Sequence, residues 1–258
     1  MKTALITGAT SGIGLEIAAL FAKDGVNLLL VSRNEQKLGE IKNDFEQKYK
    51  IKVDFIALDL SVLQNIEKID NYVNINNLQI DFLINNAGFG DFGKFLDRNM
   101  DKYFEMISLN ITALTELTHI FAKKMLNGNG GKILNVASIA GLQPVPNMAV
   151  YGATKAFVLL FSQALNYELR KTNVSVTALL PGATATNFFN RADGANSRMT
   201  DMSMPPAKVA KIGYKAMLKR KNKVIAGFFN NIMGLSAKIL PINNFSLQIV
   251  DKITENKG

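Results

Sequence analysis

Seven short apolar runs, rich in β-branched residues, alternate along the chain with longer segments of helical periodicity. Such runs are typical of buried strands, and the segments between them are typical of amphipathic or buried helices. Strand and helix in alternation favour a parallel sheet that helices cover on both faces. The sequence therefore predicts an α/β, doubly wound fold with a seven-stranded parallel sheet. The predicted strands are Ala4 to Thr7, Val26 to Val31, Val53 to Leu58, Phe82 to Ile84, Lys132 to Val136, Val174 to Leu180 and Val224 to Ala226.

The chain has 258 residues, of which 48% are hydrophobic and 20% charged, a globular composition. No linker rich in proline, glycine or serine separates two parts of it, so residues 1–258 are expected to form a single domain. Residues 187–206 are polar and interrupted by Gly194, Pro205 and Pro206, and loops of that length are commonly lids or binding loops. We expect a substrate lid there and a C-terminal extension at residues 228–258.

Cysteine is absent and histidine occurs once, which excludes disulfides, thiolate zinc sites and histidine-rich metal sites. No metal is therefore expected. The apolar run at the N-terminus is too short for a signal peptide, and no uninterrupted apolar stretch reaches the length of a membrane span. The expectation is a soluble, cytoplasmic protein without a transmembrane segment.

The net charge of +9 arises mainly in the C-terminal part of the chain. Its lysines Lys208, Lys211, Lys215 and Lys219 have helical spacing between apolar residues, which favours a solvated helix face over a nucleic-acid site. The segment Phe228 to Val250 is rich in apolar residues that must be covered. The alternatives are a subunit interface in a dimer or tetramer, packing over a substrate pocket, and peripheral membrane contact, in that order.

The first predicted strand runs directly into a glycine-rich loop, Thr7 to Gly14, which a helical pattern follows. Glycine permits a tight turn and a close approach of the backbone to a pyrophosphate, and helix N-terminal amides attract anions. The loop therefore predicts a dinucleotide site, with an ordinary strand-to-helix turn as the alternative. Its predicted cofactor contacts are Gly8, Thr10, Ser11, Gly12, Ile13 and Gly14.

Ser32 and Arg33 come directly after the second predicted strand, where a site specific for NAD usually carries an acidic residue. A guanidinium can hold the 2′-phosphate of NADP by paired hydrogen bonds, and a nearby hydroxyl can add another. Glu35 is interpreted as part of a helix capping box. The sequence therefore favours NADP(H) over NAD(H).

Tyr151 and Lys155 lie four residues apart in a helical pattern, so that their side chains share one face. The ammonium is expected to lower the pKa of the phenol towards the range of acid–base catalysis. Ser138 follows the fifth predicted strand, where its hydroxyl can hydrogen-bond a substrate carbonyl. Taken alone, the pair could also be a surface tyrosine beside a lysine.

The glycine spacing, G-x-x-x-G-x-G, resembles the fingerprint of the short-chain dehydrogenase/reductase family, and the resemblance runs from Thr3 to about Gly227. It implies a Rossmann fold and an NADP-preferring carbonyl reductase. It also implies that one asparagine bends a helix and binds a water linked to the catalytic lysine. The implied tetrad is Asn110, Ser138, Tyr151 and Lys155.

The same resemblance implies further cofactor contacts at the ends of the third, fourth and sixth strands. An Asp-Leu pair meets the adenine, an Asn-Ala-Gly segment supports the cofactor and the sheet, and a segment after the sixth strand frames the nicotinamide. The tyrosine and the lysine of the tetrad, Tyr151 and Lys155, are themselves implied cofactor contacts. The strand-end residues are Asp59, Leu60, Asn86, Ala87, Gly88, Pro181, Gly182, Thr184 and Thr186.

Seven uncharged residues beside these motifs are expected to line the substrate pocket, and their apolar character favours an apolar ketone or aldehyde. We predict NADPH-dependent reduction of such a small-molecule carbonyl to an alcohol, with Tyr151 as proton donor and no nucleic-acid partner. The alternatives are reduction of a 3-oxoacyl thioester in fatty-acid synthesis and NADP binding without turnover in a regulatory protein. The pocket residues are Phe89, Phe92, Leu142, Val145, Met148, Phe188 and Phe189.

Overall fold

The computed structural model describes residues 1–194, 203–227 and 244–254. Its strands are β1 (Thr3–Thr7), β2 (Asn27–Ser32), β3 (Val53–Ala57), β4 (Phe82–Asn85), β5 (Gly131–Val136), β6 (Val174–Leu180) and β7 (Lys223–Ile225). They form one seven-stranded parallel sheet in the order β3-β2-β1-β4-β5-β6-β7. The predicted fold class and all seven predicted strands are confirmed.

Helices follow the strands and cover both faces of the sheet. A π-helical segment, Ser108–Ala113, joins α4 to α5 without a break. Short 3₁₀ helices occur at Phe95–Asp97, Ile139–Gly141 and Leu169–Lys171. The α-helices are α1 (Gly12–Lys23), α2 (Glu35–Tyr49), α3 (Gln64–Ile75), α4 (Met100–Ile107), α5 (Leu114–Asn127), α6 (Ala149–Glu168), α7 (Phe188–Arg191), α8 (Pro206–Leu218) and α9 (Asn244–Thr254).

The strand order reverses between β1 and β4. From β1 the chain builds outward to β2 and β3, and it then returns to add β4 to β7 on the other side. The connections after β1 and β4 therefore leave the sheet in opposite directions, which opens a crevice at their carboxyl ends. Residues that follow these strands are placed to meet a ligand there.

Side chains of β1 alternate between the two faces, as in any strand that is buried on both sides. Ile6 packs in a core with Phe21 of α1 and Tyr214 of α8. Leu5 packs in the opposite core with Phe121 of α5. The central strand β1 is thus held between helices on both faces, and the glycine loop that follows it is supported from both sides.

A buried hydrogen-bond network connects the centre of the sheet to α5 and α6. The Asn85 amide donates to Asn135 Oδ1 and to Thr118 Oγ1, both at 2.9 Å. The Asn135 amide donates in turn to Ser162 Oγ at 3.0 Å. Such a network favours one packing arrangement of the helices on the sheet, because leaving one of its buried polar groups unpaired would reduce stability by about 1–3 kcal/mol. The network fixes the position of α6 against β5.

The lysines of α8 point outward while its apolar residues pack on α1. Val209, Ala210 and Met217 are buried, and the interpretation of the lysines as an exposed helix face agrees with the structure. Within the three described ranges, no helix has both the length and the apolar character needed to cross a bilayer. The exposed lysines are Lys208, Lys211, Lys215 and Lys219.

Two predicted segments fall partly outside the described residues. Of the expected lid at 187–206, residues 195–202 lie outside, and of the extension at 228–258, residues 228–243 and 255–258 do. Near its C-terminal end, the expected lid pairs with the segment that precedes it, because Met204 N donates to Ala183 O and Ala185 N donates to Met204 O, both at 2.9 Å.

Candidate active site

A cleft at the carboxyl edge of the sheet brings together most of the residues that the sequence singles out. It runs from the glycine loop after β1, past the ends of β2 to β6, to the aromatic residues of α7. Four of the predicted residues do not line it: Gly14, Asn110, Leu142 and Val145. The predicted residues that do are Gly8, Thr10, Ser11, Gly12, Ile13, Ser32, Arg33, Asp59, Leu60, Asn86, Ala87, Gly88, Phe89, Phe92, Ser138, Met148, Tyr151, Lys155, Pro181, Gly182, Thr184, Thr186, Phe188 and Phe189.

Three of the four remaining residues lie just behind the cleft wall, and one packs elsewhere. A Cβ atom on Gly14 would collide with Gly8 O and the Asn86 amide, so Gly14 permits close packing of α1. Val145 belongs to the same apolar cluster as Tyr151. Leu142 was expected in the pocket wall but packs on a different cluster, because the chain turns through the 3₁₀ helix Ile139–Gly141 before reaching it. Asn110 is considered below.

The glycine loop contains left-handed backbone conformations, which are energetically unfavourable for residues other than glycine. Gly8 and Gly12 have φ angles of +64° and +56°, in the left-handed region. A Cβ on Gly12 would lie 2.8 Å from Thr186 Cγ2, so the loop passes closely under the segment that follows β6. The Asn86 amide holds the loop by donating to Thr7 O and Gly8 O, both at 3.0 Å.

The N-terminus of α1 opens into the cleft. Ser11 is the N-cap residue, and its side chain makes no capping hydrogen bond to the first turn. Ser11, Gly12 and Ile13 all line the cleft. The first amides of a helix have no partner within it and carry partial positive charge, so this end of the cleft suits an anion such as a pyrophosphate.

Arg33 lies at the same end of the cleft, beside a pair of hydroxyls. Its guanidinium is 3.3 Å from Asp59 Oδ2 and 3.8 Å from Glu105 Oε1, and its side chain is half exposed. Burial raises the pKa of Asp59, but hydrogen bonds from Ser61 and Arg33 outweigh burial and hold the pKa below its ordinary value. These carboxylates orient the guanidinium.

The hydroxyls near Arg33 are those of Thr10 and Ser32, whose oxygen atoms are 3.0 Å apart. Thr10 belongs to the glycine loop and Ser32 ends β2, so the hydrogen bond joins two adjacent strand ends. Together with Arg33 they form a corner of donors that a phosphate group fits.

Tyr151 and Lys155 are both buried on the face of α6 that borders the cleft. Burial raises the pKa of Tyr151 to about 12, against the opposing effect of a hydrogen bond with Ser138. Burial lowers the pKa of Lys155 to about 8. The predicted lowering of the tyrosine pKa by the lysine is wrong for this structure. Lys155 Nζ is 5.8 Å from the Tyr151 ring centroid and donates to Val136 O at 2.9 Å, so desolvation of the phenol dominates.

Ser138 is fixed at the end of β5 by its own hydrogen bonds. Its Oγ accepts from Ala140 N at 3.1 Å, which caps the 3₁₀ helix Ile139–Gly141, and lies 3.5 Å from Pro181 O. The first bond holds the oxygen in place, whereas the second is long. The Ser138 hydroxyl also makes the hydrogen bond that opposes the rise of the Tyr151 pKa, so the two hydroxyls lie together in the cleft.

Asn110 lies behind the cleft in the π-helical segment Ser108–Ala113. Its Oδ1 accepts from Phe89 N at 3.2 Å, and its Nδ2 donates to Phe89 O at 2.9 Å and to Thr154 Oγ1 at 3.1 Å. A π-helical turn adds a residue to the helix locally and is frequent at functional sites. The asparagine therefore joins α5, the loop after β4 and α6 into one unit behind the tyrosine and lysine.

Gly88 separates Asn110 from Lys155. A Cβ on Gly88 would lie 2.9 Å from Asn110 Oδ1 and 3.3 Å from Lys155 Nζ, so the two polar groups face each other across this glycine. Gly141 has a similar role on the other side of α6, because a Cβ there would lie 2.6 Å from the Lys155 carbonyl. The lysine position depends on both glycines.

The opposite end of the cleft is apolar and aromatic. The Phe188 ring lies 5.3 Å from the Tyr151 ring and 5.6 Å from the Phe189 ring, centroid to centroid. Phe89, Phe92, Met148 and Ala140 belong to the same cluster, and Val250 of α9 packs against it. An apolar group placed next to the Tyr151 hydroxyl would be surrounded by these side chains.

Sequence reasoning missed several residues of the site. Glu105 reaches Arg33 from α4, and no local pattern marks it. Thr154 connects Tyr151 O to the Asn110 amide, and its signal was a polar residue on the buried face of α6. Among the cleft residues that the sequence did not single out are Val31, Leu58, Leu109, Val136, Ala137, Ile139, Ala140, Ala183 and Asn187.

The sheet and the cleft define a doubly wound α/β protein with a ligand site at its switch point. The family model described as short chain dehydrogenase matches residues 2–196 of the chain. The chain therefore belongs to the short-chain dehydrogenase family, and it is an oxidoreductase.

Two solved structures and one curated relative are similar over most of the chain. A short-chain dehydrogenase from Sphingobium yanoikuyae in complex with NADPH is 30% identical, with a TM-score of 0.82 over 95% of this chain and 97% of that one. A bulky-bulky ketone specific alcohol dehydrogenase from Comamonas testosteroni is 30% identical, with a TM-score of 0.78 over 95% and 96%. A very-long-chain 3-oxoacyl-CoA reductase of Rattus norvegicus is 31% identical over 92% of this chain and 75% of its own length.

Proposed function

We propose that the protein reduces an apolar ketone or aldehyde to an alcohol with NADPH. The observation that carries this proposal is the arrangement of Ser138, Tyr151 and Lys155 in the middle of the cleft, with anion-binding groups at one end and aromatic side chains at the other. The similar protein from Sphingobium yanoikuyae was solved with NADPH, and the similar enzyme from Comamonas testosteroni is named for bulky ketones.

The residues at the polar end fit NADP(H). Gly8 and Gly12 bring the backbone close to a ligand, and the first turn of α1 offers amides to its pyrophosphate. Arg33, with Ser32 and Thr10, would hold the 2′-phosphate. When bound, NADPH supplies the hydride that is added to the carbonyl carbon.

The tyrosine and the serine act on the carbonyl oxygen. Because burial holds the pKa of Tyr151 at about 12, its hydroxyl is protonated at neutral pH and can give a proton to the developing alkoxide. The Ser138 hydroxyl donates a hydrogen bond to the same oxygen and orients it. The apolar cluster around Tyr151 excludes water from this step.

Lys155 and Asn110 support the proton donor. One N–H of Lys155 donates to Val136 O, and the ammonium borders the cleft, where its other N–H groups can hold a ribose hydroxyl. Its charge would offset part of the cost of burying the tyrosinate that remains after proton transfer, although burial dominates the Tyr151 pKa. Asn110 holds the backbone of Phe89 and the side chain of Thr154. We infer that it also takes part in a proton relay from Lys155 to solvent, since the two side chains face each other across Gly88.

Reduction of a 3-oxoacyl thioester is the second candidate, because the relative from Rattus norvegicus carries that activity in its name. The same tyrosine, serine and lysine would act on the 3-oxo group. The two candidates differ in what the apolar end of the cleft receives: a free ketone or aldehyde, or the acyl chain of a thioester.

The test is NADPH oxidation by purified protein with a panel of ketones, aldehydes and an acetoacetyl thioester. We expect Tyr151→Phe to reduce kcat by about 10²- to 10⁴-fold while the Kd for NADPH stays unchanged. Tyr167→Phe is the matched control, because Tyr167 lies on the same helix and is 65% exposed. Binding of NADPH without turnover by the wild type would favour a regulatory protein over an enzyme.

Arg33→Ala tests the choice of cofactor separately. Loss of charge-assisted hydrogen bonds to a phosphate should raise the KM for NADPH by about 10- to 100-fold and leave the KM for NADH little changed. Arg170→Ala, at an exposed arginine remote from the cleft, should change neither constant. A wild-type preference for NADH would contradict the role given to Arg33.

A further inference from the structure

A cluster of four charged side chains lies beside the apolar end of the cleft: Asp91, Arg98, Lys102 and Asp193. We call it the ion clasp. The Asp91 side chain is 0% exposed. Arg98 Nε donates to Asp91 Oδ2 at 2.7 Å and Arg98 Nη2 donates to Asp91 Oδ1, while Lys102 Nζ lies 2.6 Å from the latter oxygen. A buried carboxylate needs such partners, so this half of the clasp is a permanent part of the fold.

Asp193 supplies the other half from a distant part of the chain. Arg98 Nη2 donates to Asp193 Oδ2, and Lys102 Nζ lies 3.0 Å from the same oxygen. These hydrogen bonds hold the pKa of Asp193 below its ordinary value, so its carboxylate is charged at neutral pH. The Asp193 side chain is 57% exposed, unlike that of Asp91. Water and salt therefore reach the Asp193 half of the clasp.

Asp193 lies two residues beyond the end of α7, the helix that carries two aromatic side chains of the cleft. Phe189 of α7 lies 5.9 Å from Phe92, and Phe92 N donates to Ala192 O at 2.8 Å. A Cβ on Gly194 would overlap the Phe92 ring, so the segment packs without a gap on the loop after β4. The ion pairs of Asp193 with Arg98 and Lys102 add to this packing of the segment on Phe92.

We propose that Asp193 is a positioning residue for the substrate pocket, because its ion pairs with Arg98 and Lys102 hold α7 against the loop that follows β4. The identity of the substrate rests on the proposed function, whereas the clasp itself does not. The ion pairs of Asp193 can break while those of Asp91 persist, because Asp91 would become an unpaired buried charge if it left Arg98 and Lys102.

Opening of the clasp has a specific consequence for catalysis. It releases Phe188 and Phe189 from the apolar wall, so that an apolar substrate loses contacts in the bound state. The clasp side chains pair with one another and not with Tyr151 or Ser138, and the link to Tyr151 is the packing of the Phe188 ring, 5.3 Å from the Tyr151 ring between centroids. The KM for an apolar carbonyl compound is therefore expected to rise while kcat changes little.

Asp193→Asn is the sharpest change, since asparagine keeps the shape of aspartate and also tolerates the positive φ of +58° found at this position. Asp101→Asn is the matched control, because Asp101 is exposed next to Lys102 and its carboxylate makes none of the contacts of the clasp. Both variants lose one negative charge near the same surface, so general electrostatic effects cancel in the comparison.

Hydrogen exchange gives a readout that needs no substrate. Ala192 N donates to Phe188 O at 3.0 Å and Gly194 N donates to Phe189 O at 2.9 Å, so these amides report on α7. We expect them to exchange about fivefold faster in Asp193→Asn than in the wild type, with Asp101→Asn unchanged, as for loss of a partly exposed ion pair. Raising NaCl from about 0.05 to about 0.5 M should speed exchange in the wild type and not in Asp193→Asn.

Kinetics provide the second readout, with an apolar ketone from the panel as the probe. A KM raised about fivefold with kcat within about twofold of the wild type is expected for Asp193→Asn, and no change for Asp101→Asn. Equal exchange at Ala192 and Gly194 in both variants and the wild type overturns the clasp, whatever the activity. Faster exchange without any carbonyl reduction by the wild type would leave the clasp standing and refute the proposed function instead.

Discussion

At the scale of single residues, burial moves the pKa values of Tyr151 and Lys155 in opposite directions, up for the phenol and down for the ammonium. The neutral phenol and the neutral amine are both favoured by a water-poor site, so the tyrosine pKa rises to about 12 and the lysine pKa falls to about 8. The tyrosine therefore keeps its proton throughout the neutral range. The lysine is the group of the pair that changes its charge near neutrality.

This difference predicts the pH dependence of reduction. Lys155 is charged below its pKa of about 8 and loses its proton as the pH rises through that value, so kcat/KM should fall above about pH 8, while the Tyr151 proton is still present. The measurement is a profile of kcat/KM against pH in the reductive direction. In Lys155→Arg, whose guanidinium stays charged, the residual activity should not fall in that range. An equal fall in both proteins would assign it to another group.

At the scale of elements, two glycines at the two ends of α1 have similar backbone angles but different structural roles. Gly12 and Gly25 have φ angles of +56° and +74°. A Cβ on Gly12 would meet Thr186, whereas no atom of the described residues lies within 4 Å of a Cβ on Gly25. Gly25 thus serves the turn that ends α1, and Gly12 serves both the turn and the close passage beside the segment after β6.

Substitution of Gly12 and of Gly25 by alanine separates the cost of the left-handed backbone from the effect of the close approach to Thr186. Gly25→Ala should lower the free energy of unfolding by about 1 kcal/mol through the left-handed backbone alone and leave NADPH binding unchanged. Gly12→Ala carries the same backbone cost and also displaces Thr186, so the Kd for NADPH should rise by at least about tenfold. Denaturant unfolding and fluorescence titration measure the two quantities. Similar Kd values for both variants would show that the approach to Thr186 does not matter for the cofactor.

At the scale of the whole molecule, the last described helix packs against the apolar cluster at one end of the cleft. The Asn147 amide donates to Asp251 Oδ1 at 2.7 Å, and Thr254 Oγ1 donates to Pro146 O at 3.0 Å. These bonds seat α9 on the loop before α6, with Val250 against the cluster that contains Tyr151. For residues 244–254, the described part of the C-terminal segment, these contacts favour packing beside the pocket among the three roles weighed for that segment.

The placement of α9 predicts that a new charge changes the KM for an apolar ketone at Val250 but not at Gln248. Val250 is half-buried against the apolar cluster, so Val250→Asp would bring a charge against apolar side chains and should raise the KM for an apolar ketone by about tenfold. Gln248→Asp adds the same charge on an exposed position of the same helix and should leave KM unchanged. Steady-state kinetics on both variants decide the question, and equal KM values would place α9 outside the substrate site.

The strands and most of the cleft residues were predictable because their signals are local. A strand such as Val174–Leu180 is apolar throughout, and the motifs that follow β1, β4 and β5 sit at strand ends, where a parallel sheet gathers them. Leu142 was misplaced because its sequence context does not report the 3₁₀ turn before it. The pKa of Tyr151 was misjudged because sequence spacing shows the nearby lysine and not the depth of burial.

By itself, the sequence determined the alternation of strands and helices, the family, and the order of the groups along the cleft, since periodicity and short motifs are read from neighbouring residues. The tertiary structure alone decided that Gly12 passes under Thr186, that Glu105 reaches Arg33, and that Arg98 meets Asp193, 95 residues away. Such contacts depend on how parallel crossovers stack distant segments at one edge of the sheet. No local pattern encodes them, because each partner has an unremarkable sequence context until the packed layers bring the two together.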